Sequence, residues 1–327
     1  MSQVKTVNQL MQYLRNTHKI NISGGPQKRR LRNIGYYHGF KGYRYISTPG
    51  NQVRQIHYSD FNEILAVNDL DMNLKSIFYR HIMFIETALK NYVLEVVLDQ
   101  SKTSSFNEIF DTVLTYYKTY QSGSEQYRKA LSKRLVLREK FYGTLTRNFN
   151  TKKDVIQHFY VNDQNVPIWA IFEVITIGEF GNFVSVANLN AKNAISRSLG
   201  LNQAFDSNGK LTESIIYQIK DLRNSIAHND VIFDARFRSS TPNRALIQSL
   251  ERDTSIRNIT FNTIVDYFIL VIYLLKSFKL TKTELMKTMN RFESAIDDAK
   301  SQIPQTIYNQ IFLPDTKHKL STLRQFI

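Results

Sequence analysis

The chain has 327 residues, of which 42% are hydrophobic, and it carries a net charge of +15 at pH 7 with a pI near 9.7. This apolar content is enough for a sizeable core, and the charge favours a polyanionic partner. Because there is no cysteine, disulfides, thiol catalysis and Cys-ligated metal sites are excluded. The seven histidines are scattered, so the sequence gives no support for a metal site or for any other cofactor.

The sequence contains neither a signal-peptide pattern at its amino terminus nor an apolar run long enough to span a membrane. Residues Met1 to Arg15 lack the apolar core of a signal peptide. The most apolar run, Tyr267 to Leu275, is far shorter than the roughly 20 residues that span a bilayer. We therefore predict a cytoplasmic protein in which this run is a buried helix.

The opening segment, residues 1–59, contains no acidic residue and carries ten positive charges. Tyrosines alternate with these cations, and the combination is typical of a surface that stacks on bases while it neutralises phosphates. A tyrosine-rich packing segment with a solvated basic face is the alternative. The glycines before Lys28 predict a loop over residues 22–35, and Pro49-Gly50 predicts a second turn. The residues predicted here to contact RNA are Lys28, Arg29, Arg30, Arg32, Tyr36, Tyr37, Lys41 and Arg44.

A long helix is predicted from Phe61 to about Asp99, because no proline or glycine interrupts its apolar periodicity. Its predicted buried stripe is Leu70, Leu74, Ile77, His81, Phe84, Ala88, Tyr92 and Val96. His81 is expected to be a hydrogen-bonded core residue rather than a catalyst. Glu86 is expected to form a structural ion pair.

Residues 127–153 form a second basic segment, in which Glu139 is the only acid. A solvated helix face explains much of this charge, but two acid-poor segments in one chain also suit a folded RNA. The residues predicted to contact RNA are Arg128, Lys129, Lys133 and Arg134. The block that begins at Pro167 contains the only tryptophan and is expected to serve packing, with a bend at Gly178 and Gly181.

The stretch from Asp221 to Asn229 concentrates side chains suited to phosphate chemistry. Ile215, Ile219, Leu222 and Ile226 recur at helical spacing, so the stretch is predicted to end a helix. Asn224 and His228 then lie one turn apart, opposite that stripe, with Arg223 on its flank. An imidazole can exchange a proton with a 2′-hydroxyl or a leaving 5′-oxygen, and a guanidinium matches a phosphate. As a bare pattern, Arg-x4-His also fits a solvated or satisfied histidine.

Polar and basic sequence follows from Ser239 to Asn258. Helices are predicted at Asn262 to Lys279 and at Lys282 to Asp298, and a short tail with Pro304 and Pro314 ends the chain. Little of the sequence alternates with period two, so we predict an all-α fold with little sheet.

Residues 222–228 resemble the Arg-x4-6-His motif of HEPN ribonucleases and, in the fuller form Leu-Arg-Asn-x-x-Ala-His, the abortive-infection proteins of the AbiD/AbiF (Abi-like) family. Three other stretches are similar to that family in the expected order: Asn33 to Tyr43, Phe61 to Val93, and Pro167 to Gly181. The resemblance covers roughly residues 5 to 240. It departs at Lys90, where arginine is expected, and at Asn229, where the family often has histidine.

The resemblance implies a HEPN-like helical core over residues 60–235, between the basic segment 1–59 and a helical extension over 236–327. It implies a bacterial anti-phage effector that cleaves RNA without a metal, with His228 as acid or base, Arg223 stabilising phosphate charge and Asn224 orienting. A homodimer through the motif would complete the site, and a structured small RNA bound to the basic surfaces could restrain it. Asp230 stands where targets of nucleotide transfer carry tyrosine, which disfavours silencing by modification.

Two other readings remain open at this point. In the first, the protein is a non-catalytic module that binds RNA and blocks phage development by sequestration. In the second, it is a housekeeping interaction protein whose motif has lost its activity.

Overall fold

The computed structural model describes residues 5–48, 52–206 and 208–327, and this part of the chain is almost entirely helical. The predicted all-α class is confirmed. The helices of the first half are α1 (Val7–His18), α2 (Gly24–Tyr36), α3 (Phe61–Ser101), α4 (Phe106–Thr112), α5 (Glu125–Asn150), α6 (Asp154–Val161) and α7 (Ile168–Val174). Those of the second half are α8 (Ile177–Val186), α9 (Leu189–Ser198), α10 (Leu211–Ala227), α11 (Arg244–Thr254), α12 (Ile264–Ser277), α13 (Lys282–Gln302), α14 (Gln305–Ile311) and α15 (Thr316–Phe326).

The one sheet of the described residues is a small antiparallel hairpin of β1 (Tyr45–Thr48) and β2 (Gln52–Gln55). Its register pairs Tyr45 with Gln55 and Thr48 with Gln52. The turn predicted at Pro49-Gly50 lies outside the described residues.

The described residues form two compact units. Unit 1 contains residues 1–81, 221–239 and 254–327, and unit 2 contains residues 82–220 and 240–253. Because both units are assembled from separate pieces of the chain, they do not test whether the three consecutive segments predicted from the sequence act separately.

Unit 1 has an aromatic core around α12. All residues from Ile264 to Leu275 are buried, as predicted for the apolar run at its centre. The rings of Phe268 and Phe292 are stacked with their centroids 3.8 Å apart, and Phe78 packs edge-on against both. This core packs α13 and the first half of α3 against α12.

Unit 2 has its own core, in which Phe141 of α5 stacks on Phe183 of α8. Gly181 is part of α8, so the predicted bend is wrong. A Cβ at this position would lie 3.2 Å from Ile216 and Tyr217 of α10, which shows that the glycine permits close helix packing. Trp169, which was expected to serve packing, is 44% exposed and contacts Phe159 edge-on.

Helix α3 confirms the long predicted helix, but the predicted stripe is wrong beyond His81. The buried residues there are Ile82, Ile85, Leu89, Val93 and Val97, whereas Phe84 is 43% exposed. The ion pair predicted for Glu86 is confirmed, and His81 is hydrogen-bonded as predicted but only half-buried. The Nε2 atom of His81 lies 3.1 Å from Thr288 Oγ1, and Lys90 Nζ lies 3.3 Å from Glu86 Oε1.

The structure also has helices in three regions where the sequence predicted none. Residues 24–34 are helical, because Gly24 enters α2 with φ +74° and Pro26 occupies its first turn, where its missing N–H costs nothing. Gly35 leaves helical geometry at φ 71°. Helix α11 interrupts the polar segment 239–258, and the tail predicted after Pro304 forms α14 and α15.

Candidate functional site

The Asp221–Asn229 stretch lies at the end of α10, as predicted. Ile215, Ile219 and Leu222 are fully buried, and Ile226 is half-buried. On the same helix Arg223 and Asn224 are half-buried and His228 is exposed. The Asn224 Oδ1 atom accepts a hydrogen bond of 3.4 Å from Arg223 Nη1. The apolar stripe thus leaves the polar trio outside the core.

The helix ends in a turn that fixes the backbone around His228. Asn229 has φ 55°, in the left-handed region. The Asn229 N–H donates to the Ile226 carbonyl and the Asp230 N–H donates to the Ser225 carbonyl, at 3.2 and 2.8 Å. This pair of bonds around a left-handed residue is a Schellman motif, which ends many helices. The motif makes His228 the last residue before the chain turns away.

Asp71 of α3 holds the segment that follows this turn. Its side chain is completely buried, and its Oδ1 atom accepts hydrogen bonds from the N–H groups of Ile232 and Phe233 at 2.7 and 2.8 Å. Its Oδ2 atom accepts from Tyr43 Oη at 3.2 Å and lies 2.7 Å from Lys75 Nζ. One carboxylate therefore joins α3, the tyrosine-rich segment and the chain just beyond the motif.

Lys75 connects this carboxylate to Asn229. Its ammonium donates to Asn229 Oδ1 at 2.8 Å, so the amide nitrogen of Asn229 faces away from it. That nitrogen lies 3.4 Å from His38 Nε2. Because an amide nitrogen only donates, His38 Nε2 accepts, and the proton of a neutral imidazole resides on Nδ1.

The environment of His38 favours the same neutral form. Burial lowers the pKa of this histidine, and the positive charge of Lys75 lowers it further, against the opposing charges of Asp71 and Asp230. His38 lies in a five-residue π-helical turn, Tyr37–Lys41. Such turns often occur at functional sites.

Asn229 is suited to two demands at once, a left-handed backbone and a bridging amide. Replacing it with alanine is expected to lower the free energy of unfolding of unit 1 by about 2 kcal/mol. A positive φ costs alanine about 1 kcal/mol or more, and the hydrogen bonds of the amide are also lost. Replacing it with glycine removes only the amide, because glycine tolerates this backbone. Urea denaturation of both variants measures the difference. Equal destabilisation by alanine and glycine would contradict the left-handed turn.

The predicted RNA-contact residues of the amino-terminal segment lie on one helix and the turn after it. Lys28, Arg29, Arg30 and Arg32 are on α2, around the buried Leu31. The three arginines are exposed, and Arg30 forms a surface ion pair with Asp69 at 3.5 Å. Lys28 is half-buried. The structure thus brings these four cations onto one helix instead of a loop.

The aromatic candidates of this segment differ in their availability. Tyr37 is 47% exposed and packs edge-on against His38, and Lys41 is also exposed. Tyr36 is half-buried against Tyr13, and burial raises its pKa. The guanidinium of Arg44 lies over the ring of Tyr45, 5.0 Å from its centroid.

The second basic segment forms α5, where Arg128, Lys129 and Lys133 are exposed. Arg134 corrects the prediction, because it is only 9% exposed. Its Nη2 atom donates to the Phe110 carbonyl at 2.6 Å and to Asp111 Oδ1 at 2.9 Å, and its guanidinium carbon lies 3.5 Å from the Phe110 ring centroid. This arginine holds α4 against α5 and is not offered to a ligand.

The sequence predicted no role for His38, Lys75 or the amide of Asn229, and Asp71 entered only within the stretch Phe61 to Val93 that resembles the Abi-like family. A signal for Asp71 and Lys75 was present, since a carboxylate and a lysine four residues apart lie on one face of a helix. Within the described ranges, no group of three or more His, Cys, Asp or Glu side chains is arranged to hold a metal ion. Among the same residues, no helix has both the length and the apolar character that crossing a membrane requires.

A protein-family model described as "Abi-like protein" matches residues 29–234, which is more than half of the chain. No curated protein and no solved structure matches the chain significantly.

Proposed function

The chain belongs to the Abi-like protein family, and we propose that it acts in bacterial anti-phage abortive infection as an RNA endonuclease of the HEPN type that needs no metal ion. The observation that carries this proposal is the placement of Arg223, Asn224 and His228 outside the core at the fixed end of α10. Helix α10 fixes the backbone up to Ala227, and the turn at Asn229 and the anchor of Ile232 and Phe233 to Asp71 fix the backbone after His228, so the trio is preorganised.

The reaction that this trio supports is transesterification of RNA. The His228 imidazole takes the proton of a 2′-hydroxyl, the 2′-oxygen forms a bond to phosphorus, and the bond from phosphorus to the 5′-oxygen breaks. The products carry a 2′,3′-cyclic phosphate and a 5′-hydroxyl. Arg223 stabilises the charge on the phosphate oxygens, and Asn224, which accepts from its guanidinium, orients it.

The leaving 5′-oxygen must receive a proton from a second group. A second copy of the chain, related by a two-fold axis through the motif, would supply another His228 for this step. The homodimer is therefore part of the proposal.

Substrate binding is proposed to use the exposed arginines of α2. Arg29, Arg30 and Arg32 neutralise phosphates, and the exposed side chain of Tyr37 stacks on an unpaired base. A structured RNA held on these cations would keep substrate away until infection, which is the form of restraint we propose.

The test is to incubate the purified protein with total bacterial RNA in a chelator and to map the new ends. New 2′,3′-cyclic phosphate or 3′-phosphate ends support the nuclease. Intact RNA that is nevertheless retained on a filter would support the non-catalytic RNA-binding module instead.

Charge reversal tests the binding surface in the same assay. The triple variant Arg29→Glu, Arg30→Glu and Arg32→Glu is expected to lower RNA affinity and to flatten its dependence on salt by about 2–3 units of slope, as about three phosphate contacts are lost. The matched control reverses three exposed cations of α13, Lys282, Lys287 and Arg291. Equal losses in both variants would mean that net charge, and not α2, governs binding.

A further inference from the structure

Unit 2 contains a basic cavity of about 210 Å³, formed by α5, α8, α9, α10 and the short 3-10 turn Tyr116–Thr119. We call it the lysine cavity. Its lining includes four lysines and one acid, together with tyrosine rings: Lys129, Lys133, Lys192, Lys210, Glu213 and Tyr116. Lys129 forms an ion pair with Glu125 at 2.6 Å, which leaves three lysines opposite Glu213.

Lys192 is the unusual member of this lining, because its side chain is only 1% exposed. Its ammonium lies 3.9 Å from Glu213 Oε2, at the outer limit of an ion pair, and 3.7 Å from the centroid of the Tyr116 ring. Among the described residues, no hydrogen-bond acceptor contacts its Nζ atom. Burying an ammonium without acceptors is costly, so this group is poised for an anion.

The fold is shaped around this lysine. Lys192 lies on the buried face of α9 beside Ala191 and Ile195. The loop that covers it turns at Gly209, which has φ 62°, and a Cβ at that position would lie 2.8 Å from the Cβ of Lys192. A glycine at this position therefore lets the loop close over the lysine stem.

We propose that the lysine cavity binds the phosphate group of a phosphomonoester no larger than a nucleoside monophosphate. Excess positive charge and a buried ammonium that lacks a hydrogen-bond acceptor select an anion. The volume is below the roughly 300–1,000 Å³ of sites for drug-sized ligands, which limits the ligand to a phosphate and a small attached group. Tyr116 and Tyr120 line the same cavity, so a ribose or base attached to the phosphate would meet aromatic side chains. The cavity binds phosphate whether or not His228 cleaves RNA.

Binding is expected to depend on pH through Lys192. The pKa of this lysine is lowered to about 8, chiefly by burial; Lys210 and Lys133 also lower it, while Glu213 and Asp206 raise it. Tyr116 stays neutral at this pH because burial raises its pKa to about 12. A phosphate dianion needs the charged lysine, so affinity is highest below pH 8 and falls as the pH rises beyond it.

The experiment is isothermal titration calorimetry of the full chain with the four nucleoside 5′-monophosphates and, as controls, the four nucleosides. At least one monophosphate is expected to bind at pH 7 at least tenfold more tightly than its nucleoside. Its affinity is expected to fall about tenfold between pH 7 and pH 9, since about a tenth of Lys192 stays protonated at pH 9.

Variants locate the site. Lys192→Met is expected to lose at least tenfold in affinity, and Lys140→Met, the same change at an exposed position of α5 outside the lining, is expected to bind as the wild type does. Lys192→Met removes a buried charge, so its melting temperature is expected to rise, which separates lost binding from lost folding. Lys133→Gln provides a second variant with a weaker predicted effect.

The source of the phosphate is distinguished by competition. An RNA hexamer with a 5′-phosphate displaces the bound monophosphate if the cavity accepts RNA ends, and it fails to do so if the cavity accepts only free nucleotides. The proposal is overturned if no monophosphate binds more tightly than its nucleoside, or if Lys192→Met and Lys133→Gln both bind as the wild type does.

Discussion

Replacement of His228 with alanine is expected to lower the rate of RNA cleavage by about 10²–10⁴-fold, because proton transfer by a positioned side chain contributes a factor of this size. Retention of RNA on a filter is expected to stay unchanged, since the exposed arginines of α2 are intact. The measurement is the initial rate of appearance of 2′,3′-cyclic phosphate ends in chelator.

The matched control for this prediction is His318→Ala on α15, which removes another exposed imidazole. It should cleave RNA at the wild-type rate. Both variants should have the melting temperature of the wild type, because neither side chain is part of the core. Cleavage by His228→Ala at the wild-type rate would remove His228 from the mechanism and would point to a contaminating nuclease or to another base.

Replacement of Asp71 with alanine is expected to destabilise the protein by about 3–5 kcal/mol. The change leaves the ammonium of Lys75 buried without its counter-charge and deprives the N–H groups of Ile232 and Phe233 of their acceptor. A fall in the urea midpoint at pH 7 reports the loss. Because the segment after the motif is released, RNA cleavage is expected to fall in any fraction that stays folded.

Asp69 provides a control two residues away on the same helix. Its carboxylate is 51% exposed and pairs only loosely with Arg30, so Asp69→Ala is expected to cost less than about 1 kcal/mol. Similar costs at Asp69 and Asp71 would show that the buried network contributes little.

The predictions that succeeded depend on local periodicity. The bounds of α3, the burial of α12 and the helical stripe of α10 follow from the spacing of apolar residues, which is a property of neighbouring positions. The stripe of α3 failed beyond His81 because Ile82, Met83, Phe84 and Ile85 are all apolar. Where every position can be buried, the sequence does not say which one meets the core.

The predictions that failed depend on contacts between distant parts of the chain. Arg134 has the sequence context of a solvated lysine- and arginine-rich face, and only the position of Phe110 reveals that it is buried. For Lys75 the sequence shows only the local pairing with Asp71, because its other partner, Asn229, is 154 residues away. The sequence carries only a weak signal for Lys192. It lies next to Ala191 on the apolar face of α9, where a lysine is unusual.

The long sequence separation around Asp71 has a consequence for synthesis of the protein. Its carboxylate and its two backbone partners are 161 and 162 residues apart. At about 5–20 residues per second, a ribosome adds the intervening chain in roughly 8–30 seconds. During that time only Tyr43 and Lys75 are available to the Asp71 carboxylate, and its two backbone partners beyond α10 have not yet been made. We therefore expect the proposed RNA cleavage to be absent from a nascent chain until its last third is being made, so that the messenger under translation is not a target of its own product.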